Sequence, residues 1–212
     1  SNIFVPETFI NGLSSTSDFN FQTYDNPYGA ISKLDTDGQR LIMCQELKNA
    51  SIPVEQSIVE TTQGEDILAA ADRVLSPTPI YYTENYGIGK HPASFAKYAN
   101  AKYGIDVKRG VVWRLSNDGI TPISEYYQHI YFTDLCKKIM LSSAPVKIYG
   151  VFDIRFGEYI ISVEGFTYTG IFVPPQTIAF NEKSNEWSTH YSVHPENFVG
   201  NGVNVIAFKN GQ

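Results

Sequence analysis

From Ser94 onward, short apolar runs alternate with turn-forming residues, at the spacing of about 8–12 residues expected of antiparallel strands joined by hairpins. Phe95–Tyr98 and Lys102–Ile105 read as strands separated by Ala99-Asn100-Ala101. The turn Asp106-Val107-Lys108-Arg109-Gly110 leads into Val111–Leu115, and Asn117-Asp118-Gly119 turns into Ile120–Ile123. Gly110 and Gly119 supply the positive φ that tight hairpins demand, so four strands in a meander are predicted here. A second set follows: Lys147–Phe152, a turn at Asp153–Gly157, Glu158–Val163, a loop holding Gly165, Gly170 and Pro174-Pro175, then Thr177–Phe180, a turn at Asn181–Asn185, and Glu186–Tyr191. A partial set precedes them, with Tyr28–Leu34, a turn at Asp35–Gly38 and Arg40–Glu46. A further one is expected to start at Asn204–Phe208, before a turn at Lys209–Gln212.

One segment has a different period. In Glu125–Ser143, Tyr127, Tyr131, Leu135 and Ile139 fall four apart with Ile130 beside them, and Pro145 closes the run, which predicts an amphipathic helix over 125–143. Residues 47–91 carry weaker signals: Glu65–Leu75 suits a short helix, and Gly87-Ile88-Gly89 a loop. The fold class expected is mainly β, with repeated four-stranded antiparallel meanders resembling propeller blades, an incomplete propeller with one inserted helix. Repetition has a physical reason, since one small meander cannot bury its face alone and a stacked neighbour can. The expected division is a β-rich region with a partial blade over 1–93, then two blade-like meanders, the inserted helix and the start of a further blade over 94–212.

The turn pattern Asp/Asn-x-Lys/Arg-x-Gly/Asn, followed by an aromatic residue, occurs at Asp106, Asp153 and Asn181. The residues singled out as structural are therefore Asp106, Gly110, Trp113, Gly119, Asp153, Gly157, Asn181 and Trp187, with Trp113 and Trp187 expected at equivalent positions of successive meanders. A sialidase-type Asp-box has similar content, but it places one residue between Asp and Gly where the turn at Asp106 has three.

Composition supports a β-rich reading: 14 Tyr, 13 Phe and 2 Trp favour half-buried pleated surfaces. Sixteen Lys+Arg against 22 Asp+Glu leave a net charge of -6, which repels a phosphate backbone and disfavours direct DNA contact. No stretch approaches the roughly 20 apolar residues of a membrane-spanning helix. The opening Ser1-Asn2, without Met, is expected of a trimmed or processed chain. Cys44 and Cys136 are far apart and lack ligand spacing, so both are expected to be reduced, buried thiols.

Candidate chemistry is sparse. A glycoside-cleaving site needs two carboxylates across a cleft, and Asp153, Glu158, Glu164, Glu182 and Glu186 are the available set, most of them in or beside turns. His190 and His194 are four apart, with Glu196 following. Four residues of extended chain span about 13 Å, too far for two imidazoles on one ion. His91 and His129 complete no set. There is no HExxH, no Gly-x-Ser-x-Gly elbow and no P-loop. No catalytic, metal-binding or cofactor-binding residue is expected.

The runs Phe95–Tyr98 and Asp106–Ser124, Val151–Arg155 and Thr177–Trp187 resemble the tail-muzzle or stabilisation-type structural proteins of crAss-like tailed phages, with a looser likeness to packaged-DNA stabilisation proteins of short-tailed phages. The likeness covers about residues 50–212. It implies a propeller-like module in a ring at the virion tail or portal vertex, assembled with other tail and portal proteins or with the rest of its own polypeptide. It implies no catalytic residue. The competing function is a carbohydrate-binding or glycoside-cleaving propeller, motivated by the abundant aromatics.

Overall fold

Hairpin turns join short strands into three four-stranded antiparallel sheets in the computed structural model, which describes residues 23–24, 27–54, 57–60, 66–69, 75–201 and 204–209. The first sheet contains β1 (Ile31–Asp37), β2 (Arg40–Gln45) and β3 (Asn49–Pro53). After a separate hairpin of β4 (Ser57–Glu60) and β5 (Asp66–Ala69), β6 (Ile80–Tyr81) returns to its far edge. The second sheet is the uninterrupted meander β7 (Ala96–Tyr98), β8 (Ala101–Asp106), β9 (Val111–Ser116) and β10 (Gly119–Pro122). Helix α1 (His129–Met140) then leads to the third sheet. Its strands are β11 (Ile148–Asp153), β12 (Glu158–Val163), β15 (Gln176–Asn181) and β16 (Glu186–Tyr191), with the short hairpin β13 (Phe166–Tyr168) and β14 (Ile171–Val173) inserted midway. A last pair, β17 (Asn197–Asn201) and β18 (Asn204–Phe208), follows.

The three sheets are stacked blade on blade through shared apolar layers. Ile42 and Cys44 of the first sheet and Ile88 pack against Val111, Trp113, Leu115 and Ile120 of the second. The opposite face of the second sheet, with Tyr103, Ile105 and Val112, joins Phe132, Leu135, Cys136 and Ile139 of α1 and Phe152, Tyr159, Ile161 and Phe180 of the third sheet in the largest core. Val151, Ile160 and Ala179, on the far side of the third sheet, are covered by Phe198 of β17 and Val205 of β18. Strand β8 is buried at every position because it lies between two neighbours. Its outward alternation carries Lys102, whose ammonium lies 3.1 Å from Asp37 of the first sheet.

First strands lie beside first strands. Lys97 of β7 pairs with Asp35 of β1 at 2.9 Å. The turn before β7 rests directly on β11, where a Cβ added at Gly150 would stand 2.0 Å from the Ser94 carbonyl oxygen. The pair β17–β18 lies against β11 in the same way. The architecture is thus an incomplete propeller of antiparallel meanders, with its blades in sequence order.

Four expectations need correction. The short helix over Glu65–Leu75 is not formed where the structure describes it: Asp66–Ala69 is strand β5, paired with β4. Positions 65 and 70–74 lie outside the described residues. The helix over 125–143 is shorter, and its buried face is rotated. Leu135 and Ile139 are inside as expected, but they are joined by Phe132 and Cys136, while Tyr127 and Ile130 are 88% and 83% exposed. Tyr127 has φ +64 and precedes the helix, so the four-residue row does not start there. The partial first meander is a complete four-stranded sheet, since β3 and β6 fall in the poorly legible stretch. Finally, the further blade begins one strand earlier, at Asn197. The opening Ser1-Asn2 and the closing turn past Lys209 lie outside the described residues.

Candidate functional site

The residues singled out in the three turns do one structural job in three places. Asp106 Oδ1 accepts the Arg109 backbone N–H at 3.1 Å, Asp153 Oδ1 accepts that of Arg155 at 2.9 Å, and Asn181 Oδ1 accepts those of Lys183 and Ser184 at 3.0 and 3.1 Å. Each side chain thereby mimics a backbone turn. Gly110, Gly157 and Asn185 close these turns with φ of +71, +66 and +55, and Gly119, at φ +105, serves the separate β9–β10 hairpin. The turns close different strand pairs: β8–β9 in the second sheet, β11–β12 and β15–β16 in the third.

For the same reason the two tryptophans are not equivalent. Trp113 is on the third strand of its sheet and Trp187 on the fourth of its own. Both are buried between layers. Trp113 donates to the Gly87 carbonyl at 2.6 Å and lies over Gly104, where any Cβ would be 2.5 Å from the ring. Trp187 donates to the Ile123 carbonyl at 2.9 Å and packs on Phe132 and Phe180 at 4.6 and 5.4 Å between centroids.

Asp106 does more than shape its turn. Its carboxylate is fully buried, and Oδ2 accepts the Gly87 N–H at 3.0 Å and Arg109 Nη1 at 2.9 Å. It therefore locks the loop before the second sheet to a turn within it. Glu182 plays the matching part between the second and third sheets: Oε1 accepts the Tyr103 hydroxyl and Arg114 Nε, the latter at 2.7 Å. Burial, reinforced by the Glu182 carboxylate, holds the Tyr103 phenol well above its usual range.

Three of the other candidate carboxylates are likewise engaged. Asp153 is bonded to Arg155, Glu158 accepts the Tyr191 hydroxyl at 2.9 Å and an Asn181 amide at 3.3 Å, and Glu164 accepts the Lys147 N–H at 2.6 Å. Glu186 is exposed, opposite Asn181 in the strand register. His194 contacts the Thr177 hydroxyl at 3.1 Å, while His190 meets the Tyr131 ring edge to face. The two imidazoles thus serve separate neighbours. Among the described residues no group of three His, Cys, Asp or Glu side chains converges on a point that could hold a metal ion. Cys44 and Cys136 are buried free thiols, each pushed up to about 12 chiefly by burial, which leaves them unreactive at neutral pH.

Two features stand apart from this structural network. A cleft of about 400 Å³ opens between the turns at Ala99–Asn100 and Asn117–Asp118 and Glu182. The other is the pair β17–β18, two strands where each preceding blade has four. Its outer strand carries Ile206 and Phe208, 44% and 38% exposed, and pairs with β17 alone among the described residues. Sequence reasoning placed the edge strand but missed β17 and the cleft, because the cleft's walls come from three turns distant in sequence. No protein-family model matches the chain, and no curated protein matches it.

Proposed function

We propose that this chain is a non-enzymatic structural module that acts by association, as a component of a phage virion's tail or portal vertex. One observation carries the associative part: the blade begun by β17–β18 has half the strands of the other three, and β18 presents an unpaired edge among the described residues. Such an edge is a template for a strand from another protein or from a further stretch of the same polypeptide. The blades themselves supply the scaffold, with their turns and interfaces tied by Asp106, Glu182 and the two tryptophans. The net charge of -6 favours protein neighbours over DNA. The virion assignment rests on the resemblance of the turn-and-strand runs to phage tail proteins.

The test is hydrogen exchange on Val205–Phe208, in the isolated chain and in assembled particles. The expected result is rapid exchange of the β18 amides that face away from β17 in the isolated chain, and protection after assembly. Full protection in an isolated monomer would show that the edge is satisfied internally. Absence of the chain from purified particles would remove the virion assignment.

A further inference from the structure

The cleft beside Glu182 combines the lock between the second and third sheets with a wall and a rim that the lock does not require. Its floor is rigid: Tyr103 and Arg114 both donate to Glu182 Oε1, so a phenol, a guanidinium and a carboxylate are fixed against one another. One wall is the ring of Tyr98, which is stacked on Phe152 at 4.2 Å and 4° between planes, yet stays 37% exposed and lines the opening. The ring is therefore held as a flat, partly wetted apolar surface. Around the rim stand Asn100, Ser116, Asn117 and Asp118, whose side chains make no hydrogen bond or ion pair with any described residue. Amide, hydroxyl and carboxylate together offer both donors and acceptors.

From this arrangement we infer that the cleft binds a neutral pyranose sugar. An aromatic plane suits the C–H face of a sugar ring, and a rim of unpaired donors and acceptors suits its hydroxyls. Charge narrows the choice. Arg114 and Glu182 neutralise one another, and the charge left in the lining, that of Asp118, repels anions, so the lining favours a neutral, polyhydroxylated ligand over a phosphate. The volume of about 400 Å³ lies within the range of small-molecule sites. Ala99, at the mouth, has φ +49, a conformation that side-chain-bearing residues rarely hold and that tends to collect at binding sites. This inference is independent of association through β18, which lies on the far side of the third sheet.

The test is amide chemical-shift mapping on the full chain. The probes are the methyl glycosides of glucose, galactose, mannose and N-acetylglucosamine, each with its matched trisaccharide. At least one probe should shift Ala99, Asn100, Asn117 and Asp118 saturably. Combined Asn117→Ala and Asp118→Ala substitution, confined to an exposed turn, should weaken that binding about tenfold, equivalent to about 1.4 kcal/mol. Tyr98→Phe, which keeps the plane, should retain it. A trisaccharide that binds more tightly than its glycoside identifies a chain-internal glycan as the ligand source, and the reverse order a free or terminal sugar. The inference is overturned by no saturable shift from any probe, by shifts confined to other surfaces, by an unaltered affinity in the rim variant, or by tighter binding of inorganic phosphate or glucuronate.

Discussion

Replacing Asp106 with Ala tests whether the blades are held by buried polar locks or by apolar packing alone. The carboxylate is fully buried and satisfies the backbone N–H of Gly87 and both the backbone and side chain of Arg109. Without it, the buried Gly87 N–H loses its acceptor, at a cost of about 1–3 kcal/mol. The side-chain-capped turn at Arg109 is also lost, at about 1 kcal/mol by analogy with helix caps. Arg109 is one-third exposed and also reaches the Leu47 carbonyl, so its guanidinium returns to water with little penalty. The sum is about 3 kcal/mol, or a fall in melting temperature of about 6–12 °C at the 2–4 °C per kcal/mol typical of a chain this size. Asp106→Asn should recover only part of this, because either orientation of the amide sets its NH2 against a donor. Asp118→Ala, at an exposed turn, is the control and should not move the melting temperature. The assay is thermal unfolding by circular dichroism; an Asp106→Ala chain melting within about 2 °C of the parent would refute the lock.

Gly150→Ala should destabilise by about 1–3 kcal/mol in urea, because its Cβ would meet the Ser94 carbonyl at 2.0 Å and backbone cannot step aside cheaply. Cys44 and Cys136 should resist a thiol-reactive disulfide reagent at pH 8 in the native protein and react on unfolding, since burial pushes both up to about 12; rapid native labelling would show an opening between layers. Alkali should unfold the chain through its tyrosines. Tyr131 and Tyr191 are pushed up to about 12, and Tyr103 and Tyr159 are raised too, all first by burial. Their folded forms hold protons that the unfolded chain releases near pH 10, so this contribution is full below pH 10 and is lost as pH rises through 12. A stability flat from pH 9 to 12 would contradict this.

What was legible in the sequence depended on whether local chemistry or distant packing set the structure. The second sheet reads directly because two of its three turns carry their own instruction, in Asp106 with Gly110 and in Gly119. The helix was found but its face was misjudged, since Phe132 and Cys136 point inward only because the third sheet brings Phe180 and Trp187 against them. Strand β3 is five residues, Asn49–Pro53, with small or polar side chains at three positions and a proline at its end, so its short alternation does not stand out as a strand even though Asn49 and Ser51 are buried. Strands β13 and β14 are three residues each and half exposed, too short to stand out beside Pro174-Pro175. The cleft was illegible because Tyr98, Asp118 and Glu182 meet only through the stacking of two sheets.

The contact between Gly150 and Ser94 has a geometric consequence. Where the turn before β7 crosses β11, Ser94 and Gly150 meet backbone to backbone, while further along the same strands the stacked rings of Tyr98 and Phe152 stand between the two sheets. At their last strands they are propped apart by Trp187 bonded to Ile123 and seated on Phe132 of α1. The spacing between these blades is thus set by side-chain volume at each contact, least at Gly150 and greatest at the aromatic pairs Tyr98–Phe152 and Phe132–Trp187. In a closed propeller the angles between blades must sum to a full turn, so residue volume at such contacts bears on how many of the usual 4 to 8 blades complete the circle.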